Sequence, residues 1–95
     1  MKKEDILAEL AEVDDYKFYA VRFGYRCVRR SFTIYGPRRS RSDADDLCPD
    51  EFDEQCERIP PTVLYGFELR SEIENEKYFD AENSSIYHPC WSEND

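Results

Sequence analysis

Residues 16–35, YKFYAVRFGYRCVRRSFTIY, decide the fold of this chain. Tyr19, Val21, Phe23, Tyr25 and Cys27 alternate with Phe18, Ala20, Arg22 and Arg26, and then Val28, Arg30, Phe32 and Ile34 alternate with Arg29, Ser31, Thr33 and Tyr35. A period of two in aromatic and β-branched residues is the pattern of strands with one buried face. Two antiparallel strands are expected, turning near Gly24 or around Arg29-Arg30 and ending at Gly36-Pro37.

Upstream, KEDILAELAEV (residues 3–13) reads as an amphipathic helix. Ile6, Leu7, Leu10 and Val13 form one stripe, and Glu4 and Asp5 in the first turn suit the helix dipole. Downstream, Val63, Tyr65, Phe67 and Leu69 alternate with Thr62, Leu64, Gly66 and Glu68, which predicts a third strand over Thr62 to Arg70. A fourth is expected within Ile73 to Phe79 or Ser85 to His88. The fold class that follows is α+β, with an N-terminal helix on a small antiparallel sheet of three to four strands. At 95 residues there is room for a single domain, 1–95, and the polar tail at 89–95 is expected to fray.

The connection over residues 36–60 is long for so small a domain, and such loops are usually functional or disordered. Its first part, PRRSRS, is basic and its second, DADDLCPDEFDEQCE, is acidic. Pro49 suits the first position of a helix, and Phe52, Cys56 and Ile59 recur at helical spacing. A short helix from Pro49 to Arg58, docking that stripe on the sheet, is therefore expected.

Charge is segregated along the chain. Residues 16–42 carry Lys17, Arg22, Arg26, Arg29, Arg30, Arg38, Arg39 and Arg41 with no carboxylate. All 22 Asp and Glu lie outside that stretch, against 5 Lys and Arg there, and the whole chain sums to −9. Blocks of one sign point to contacts with charged partners or with one another. An overall negative molecule repels nucleic acid and anionic lipid at long range, which disfavours a bulk nucleic-acid coat. No run of residues approaches the roughly 20 apolar positions of a membrane span, and carboxylates interrupt the start before any signal-like stretch. A cytoplasmic location with reduced thiols is the resulting expectation.

Asp43, Asp45, Asp46, Asp50, Glu51, Asp53, Glu54 and Glu57 make up the densest feature, eight carboxylates in fifteen residues. On a helix from Pro49, Asp50, Asp53, Glu54 and Glu57 would share a face, spaced by about 5 to 6 Å like successive phosphates of a nucleic-acid strand. Such a face can occupy an arginine- and lysine-lined channel in a partner, or serve only as a solvated surface. Arg22, Arg26, Arg29, Arg30, Arg38, Arg39 and Arg41 interleave with Tyr and Phe, the composition of a stacking platform for single strands or nucleotides. Alternatively these rings are core and the arginines pair with the acidic segments. Cys48, Cys56, His88 and Cys90 offer four zinc ligands, but at spacings that fit no common zinc module. No catalytic motif and no cofactor motif is present, so a non-enzymatic role is expected.

Short, acidic and without a catalytic motif, with its carboxylates dense between Asp43 and Glu57, the chain resembles the small inhibitors made by phages and mobile elements, anti-CRISPR proteins among them. The resemblance is one of composition. It implies a stoichiometric binder, in host cytoplasm if phage-encoded, that covers the basic surface of a nucleic-acid-handling protein. A nucleotide- or nucleic-acid-binding hairpin over residues 16–41 and a zinc-stabilised accessory domain are the alternatives.

Overall fold

The computed structural model describes residues 3–11 and 14–87. The alternating stretch forms the expected hairpin. β1 (Phe18–Arg26) pairs antiparallel with β2 (Arg29–Arg38), and the closing pair Arg26↔Arg29 leaves Cys27 and Val28 as a two-residue turn. The turn therefore lies three residues beyond Gly24 and just before Arg29-Arg30. Cys27 takes φ 59°, since a two-residue turn needs a left-handed residue to match the strand twist. β2 does not stop at Gly36-Pro37 but passes through that pair, which is joined by a cis bond, with the register slipping between Phe18 and Ala20.

The third strand is shorter than its alternation predicts. β3 covers only Thr62–Tyr65, and the chain then turns directly into a helix over Gly66–Asn75. Leu69 and Ile73, one helical turn apart, are both fully buried, whereas an extended chain would send them and Phe67 to one face. Glu68 reaches back to accept the backbone N–H of Tyr65 at 2.9 Å, which satisfies a donor at the start of the helix. The alternation of Phe67 and Leu69 was a short-range coincidence that the helical spacing of Leu69 and Ile73 overrides.

Numbered in chain order, the helices are α1 (Lys3–Leu10), α2 (Arg41–Leu47), α3 (Gly66–Asn75) and a single 3-10 turn at Ala81–Asn83, followed by β4 (Ser85–Tyr87). The fold is α+β, with the N-terminal helix on a sheet of four strands ordered β3-β1-β2-β4. β4 runs parallel to β2, so the sheet is mixed rather than wholly antiparallel. Residues 73–79 form no strand. They finish α3 and lead to an isolated bridge between Phe79 and Arg30. Of the expected N-terminal helix, Lys3–Leu10 is seen as such, while residues 12–13 lie outside the described residues, as does the tail at 89–95.

The two faces of the sheet are covered unequally. On one, Ile6 and Leu10 of α1 and Leu69 and Ile73 of α3 bury Tyr19, Val21, Phe32 and Ile34, with Phe23, Leu64, Phe79 and Ile86 at the margin. On the other, α2 sets Ala44 and Cys48 against Ala20, bordered by Phe18, Tyr35 and Val63. Aromatic rings supply much of the first core. Phe32 meets Phe23 edge-on at 5.0 Å and Phe79 at 5.5 Å. Asp80, buried beside this core, holds the 3-10 turn to the hairpin through Asn83 (2.7 Å) and Arg29 (3.3 Å).

At the outer side of β3, the carbonyl of Val63 accepts from Arg41 Nη1 at 3.0 Å. The N–H of Tyr65 is held by Glu68, as described above. Gly66 N donates to Lys17 O at 3.0 Å, closing the β1–β3 pairing where α3 begins.

Candidate partner-binding surface

The acidic stretch does not form the helix expected at Pro49 to Arg58. The helix lies upstream, as α2. Ser40 caps it by accepting the Asp43 N–H at 3.2 Å; Ala44 is buried within it, and Cys48 is buried just beyond it at the C-cap. Residues 50–60 are instead an exposed loop folded on itself, with an isolated bridge between Phe52 and Arg58. Asp53 explains the difference. Its Oδ1 accepts the N–H groups of Gln55 and Glu57, both at 2.9 Å, and so captures donors that a helix would need. Asp53 N donates to Glu57 O, and Ile59 N to Glu51 O, at 2.9 and 2.8 Å. Cys56, at φ 64°, is left-handed and could not continue a helix. The stripe Phe52, Cys56, Ile59 consequently faces solvent, with Phe52 60% exposed.

Two arginines fasten this loop to the body. Arg58 donates from Nε to Asp50 and from Nη2 to Asp45 of α2, each at 3.0 Å. These two hydrogen bonds push the Arg58 guanidinium well above its ordinary value. Arg22 on β1 pairs with Glu51 at 3.0 Å and donates to Pro49 O at 3.2 Å. Beneath them the Cys48 thiol is pushed up by burial, against the lowering influence of Arg22, and is a protonated core group.

The eight expected carboxylates thus fall into two sets. Asp45, Asp50, Glu51 and Asp53 hold the loop in shape. Asp43 and Asp46 on α2, with Glu54 and Glu57 at the loop tip, are exposed and make no ion pair among the described residues. Four negative charges are therefore displayed, two on α2 and two on the braced loop.

On the hairpin, two rings of the expected arginine-aromatic platform are withdrawn to the core, while Tyr25 is 72% exposed and Tyr35 stacks on Tyr87 at 5.1 Å. Phe32 is in the core and Phe23 lies against it, so neither ring is offered to a base. Arg30 lies over both, 4.1 Å from the Phe23 centroid and 4.9 Å from that of Phe32, and pairs with Glu76 at 2.9 Å and Glu72 at 3.5 Å. Arg29 is held by Asp80 and Arg22 by Glu51. Arg38 donates to Pro37 O at 3.2 Å, and Arg41 is bonded to Val63. Arg26 and Arg39 are exposed. Of these seven arginines, Arg22, Arg29 and Arg30 thus pair with carboxylates from outside the basic stretch.

Of the four possible zinc ligands, Cys48 is buried under α2, Cys56 is exposed in the loop, and His88 and Cys90 lie outside the described residues. Among the described residues no group of three or more His, Cys, Asp and Glu is placed to hold a metal ion. Nor is any described helix long and apolar enough to cross a membrane. The bracing role of Arg58 and Arg22 was not visible in the sequence, because both contacts join residues distant in the chain. The Ser40-x-x-Asp43 cap was visible, but was hidden within a segment dominated by its arginines. Against known proteins, the chain matches no family model, no curated protein and no solved structure.

Proposed function

We propose that this chain is a stoichiometric, non-enzymatic binder that covers the basic nucleic-acid-binding surface of a partner protein, in the manner of the small phage and mobile-element inhibitors. One observation carries the reading: the carboxylates of α2 and the 50–57 loop are displayed on a backbone fixed by its own hydrogen bonds, while most of the chain's arginines are engaged internally. A pre-shaped array loses less conformational entropy on binding than a floppy acidic tail. Exposed charges of one sign steer association and set its salt sensitivity.

The test is capture of a partner from lysate on immobilised protein, followed by release. A nucleic-acid-binding protein is expected, displaced by oligonucleotide and by raising salt from about 50 to about 500 mM, over which the Debye length contracts severalfold. Replacing Asp43 and Asp46 by Asn, and Glu54 and Glu57 by Gln, should weaken that complex about four-fold or more, at roughly 0.2–1 kcal/mol for each rim charge. Direct binding of oligonucleotides by the purified chain, abolished by replacing Arg26, Arg29 and Arg30 but not the carboxylates, would overturn the reading in favour of the hairpin.

A further inference from the structure

A second surface lies where the N-terminal end of α3 meets β1 and β3. Four rings there form a continuous strip. Tyr16 contacts Phe67 at 6.3 Å, Phe67 stacks on Tyr65 at 5.5 Å with planes 16° apart, and Tyr65 meets Phe18 at 4.5 Å. One end of the strip is occupied by a cation of the chain itself. The Arg41 guanidinium lies 5.0 Å from the Phe18 centroid and 5.8 Å from that of Tyr65 while hydrogen-bonded to Val63 O. The other end is open: Tyr16 is 79% and Phe67 46% exposed.

Carboxylates flank the open end, of which Glu68 also accepts the Tyr65 N–H and Glu72 also pairs with Arg30. Phe67, Leu64, Glu68, Ser71 and Glu72 border a depression of about 290 Å³. Tyr16 borders a second, of about 510 Å³, with Asp14, Asp15 and Glu74. Arg70, which also lines the second, is held by Asp15 and by the carbonyl of Leu10. Carboxylates beside bare ring faces repel phosphate and attract cations. Between the two common protein cations, the weakly hydrated planar guanidinium stacks on rings, whereas an ammonium keeps its water.

We propose that the Tyr16–Phe67 end of this strip binds arginine side chains of a partner protein, repeating with an incoming guanidinium the cation–ring contact that Arg41 makes at the Phe18 end. This surface is independent of the carboxylates on α2 and the 50–57 loop, and either reading can stand without the other.

Fluorescence anisotropy with labelled peptides tests it. The probes are a peptide of alternating arginine and glycine, its lysine counterpart of equal length and charge, and an oligothymidine. The arginine peptide should bind severalfold tighter than the lysine peptide. Tyr16→Ala and Phe67→Ala should each weaken it about two- to five-fold, the size expected for a stacked cation at an exposed ring. Tyr16→Phe should bind as the native chain does, and Glu54→Gln with Glu57→Gln should leave affinity unchanged. Tyr16 is so exposed that its replacement leaves the core intact, which covers the case of a poorly folded Phe67 variant. Equal binding of the two peptides, no binding of either, indifference to both ring changes, loss on changing the loop, or oligothymidine binding that the ring changes abolish would each overturn the proposal.

Discussion

Replacing Gly66 by alanine sets two effects of opposite sign against each other, and the structure says which prevails. Gly66 opens α3, where alanine is intrinsically better than glycine by up to about 1 kcal/mol in a helix interior and by less at an end. A methyl group at this position, however, would overlap the carbonyl oxygen of Asp14, and would lie 3.1 Å from its carbonyl carbon and 3.2 Å from Asp15 Cα. These are backbone atoms and cannot rotate away, so the two segments must part by about 1 Å to regain ordinary contact distances near 3.5 Å. The bonds from Gly66 N to Lys17 O at 3.0 Å and from Phe67 N to Asp15 O at 3.4 Å span that gap, as does the ion pair between Arg70 and Asp15. Overpacking of this kind typically costs about 1–3 kcal/mol, and each strained hydrogen bond roughly a further 0.5–1.5 kcal/mol. The net expectation is a loss of about 1–5 kcal/mol, a large fraction of the stability of so small a domain. Urea unfolding followed by far-ultraviolet dichroism reads it as a lower midpoint with unchanged slope. A midpoint equal to or above that of the native chain would refute the argument, because propensity would then have outweighed the backbone contact.

Two further outcomes follow from the ion pairs and the loop. The Glu76 carboxyl is held below its usual 4.5 chiefly by the hydrogen bond from Arg30, with the Tyr78 N–H adding to it. A carboxyl lower in the folded than in the unfolded chain contributes stability that is present above about pH 4.5 and is lost as pH falls through the folded value. Urea midpoints should accordingly drop between about pH 5 and about pH 3, and Glu76→Gln should drop less over that window. Asp53→Ala removes the acceptor of the Gln55 and Glu57 N–H groups, so hydrogen exchange at residues 51–59 should accelerate while protection of β1 and β2 is unchanged. Unaltered loop exchange would mean that Arg58 and Arg22 suffice to hold it.

The parts of the fold carried by local pattern were legible in advance, and those carried by competition between patterns were not. Ile6 and Leu10 at helical spacing, and the long alternation from Phe18 to Ile34, each admit one reading, and both elements are present. Residues 62–73 admit two. Val63 to Leu69 alternates, yet Leu69 and Ile73 are spaced for a helix, and only the core formed with Ile6 and Leu10 decides between them. The segment at 49–58 has a helical stripe, but its polar residues include Asp53, whose side chain competes for the same backbone donors. At the candidate surface the carboxylates themselves were evident. Their division into bracing and displayed sets was not, since Arg58 to Asp45 and Arg22 to Glu51 are tertiary contacts. The ring strip was missed for a related reason: Tyr16 and Phe18 lie roughly fifty residues from Tyr65 and Phe67, and only the β1–β3 pairing joins them.

The bonds on the outer side of β3 bear on whether another strand can add there. A terminal strand with free carbonyls and N–H groups is a template on which another strand can add, whether from a partner or from a second copy. Here the Val63 carbonyl is already taken by Arg41 and the Tyr65 N–H by Glu68, and Pro60-Pro61 just before the strand supply no donor at all. Recruiting a strand at that border would first require breaking a guanidinium and a carboxylate contact. Strand addition at that border is thereby disfavoured. The β3 border is thus a poorer template than a bare edge strand of the same length would be.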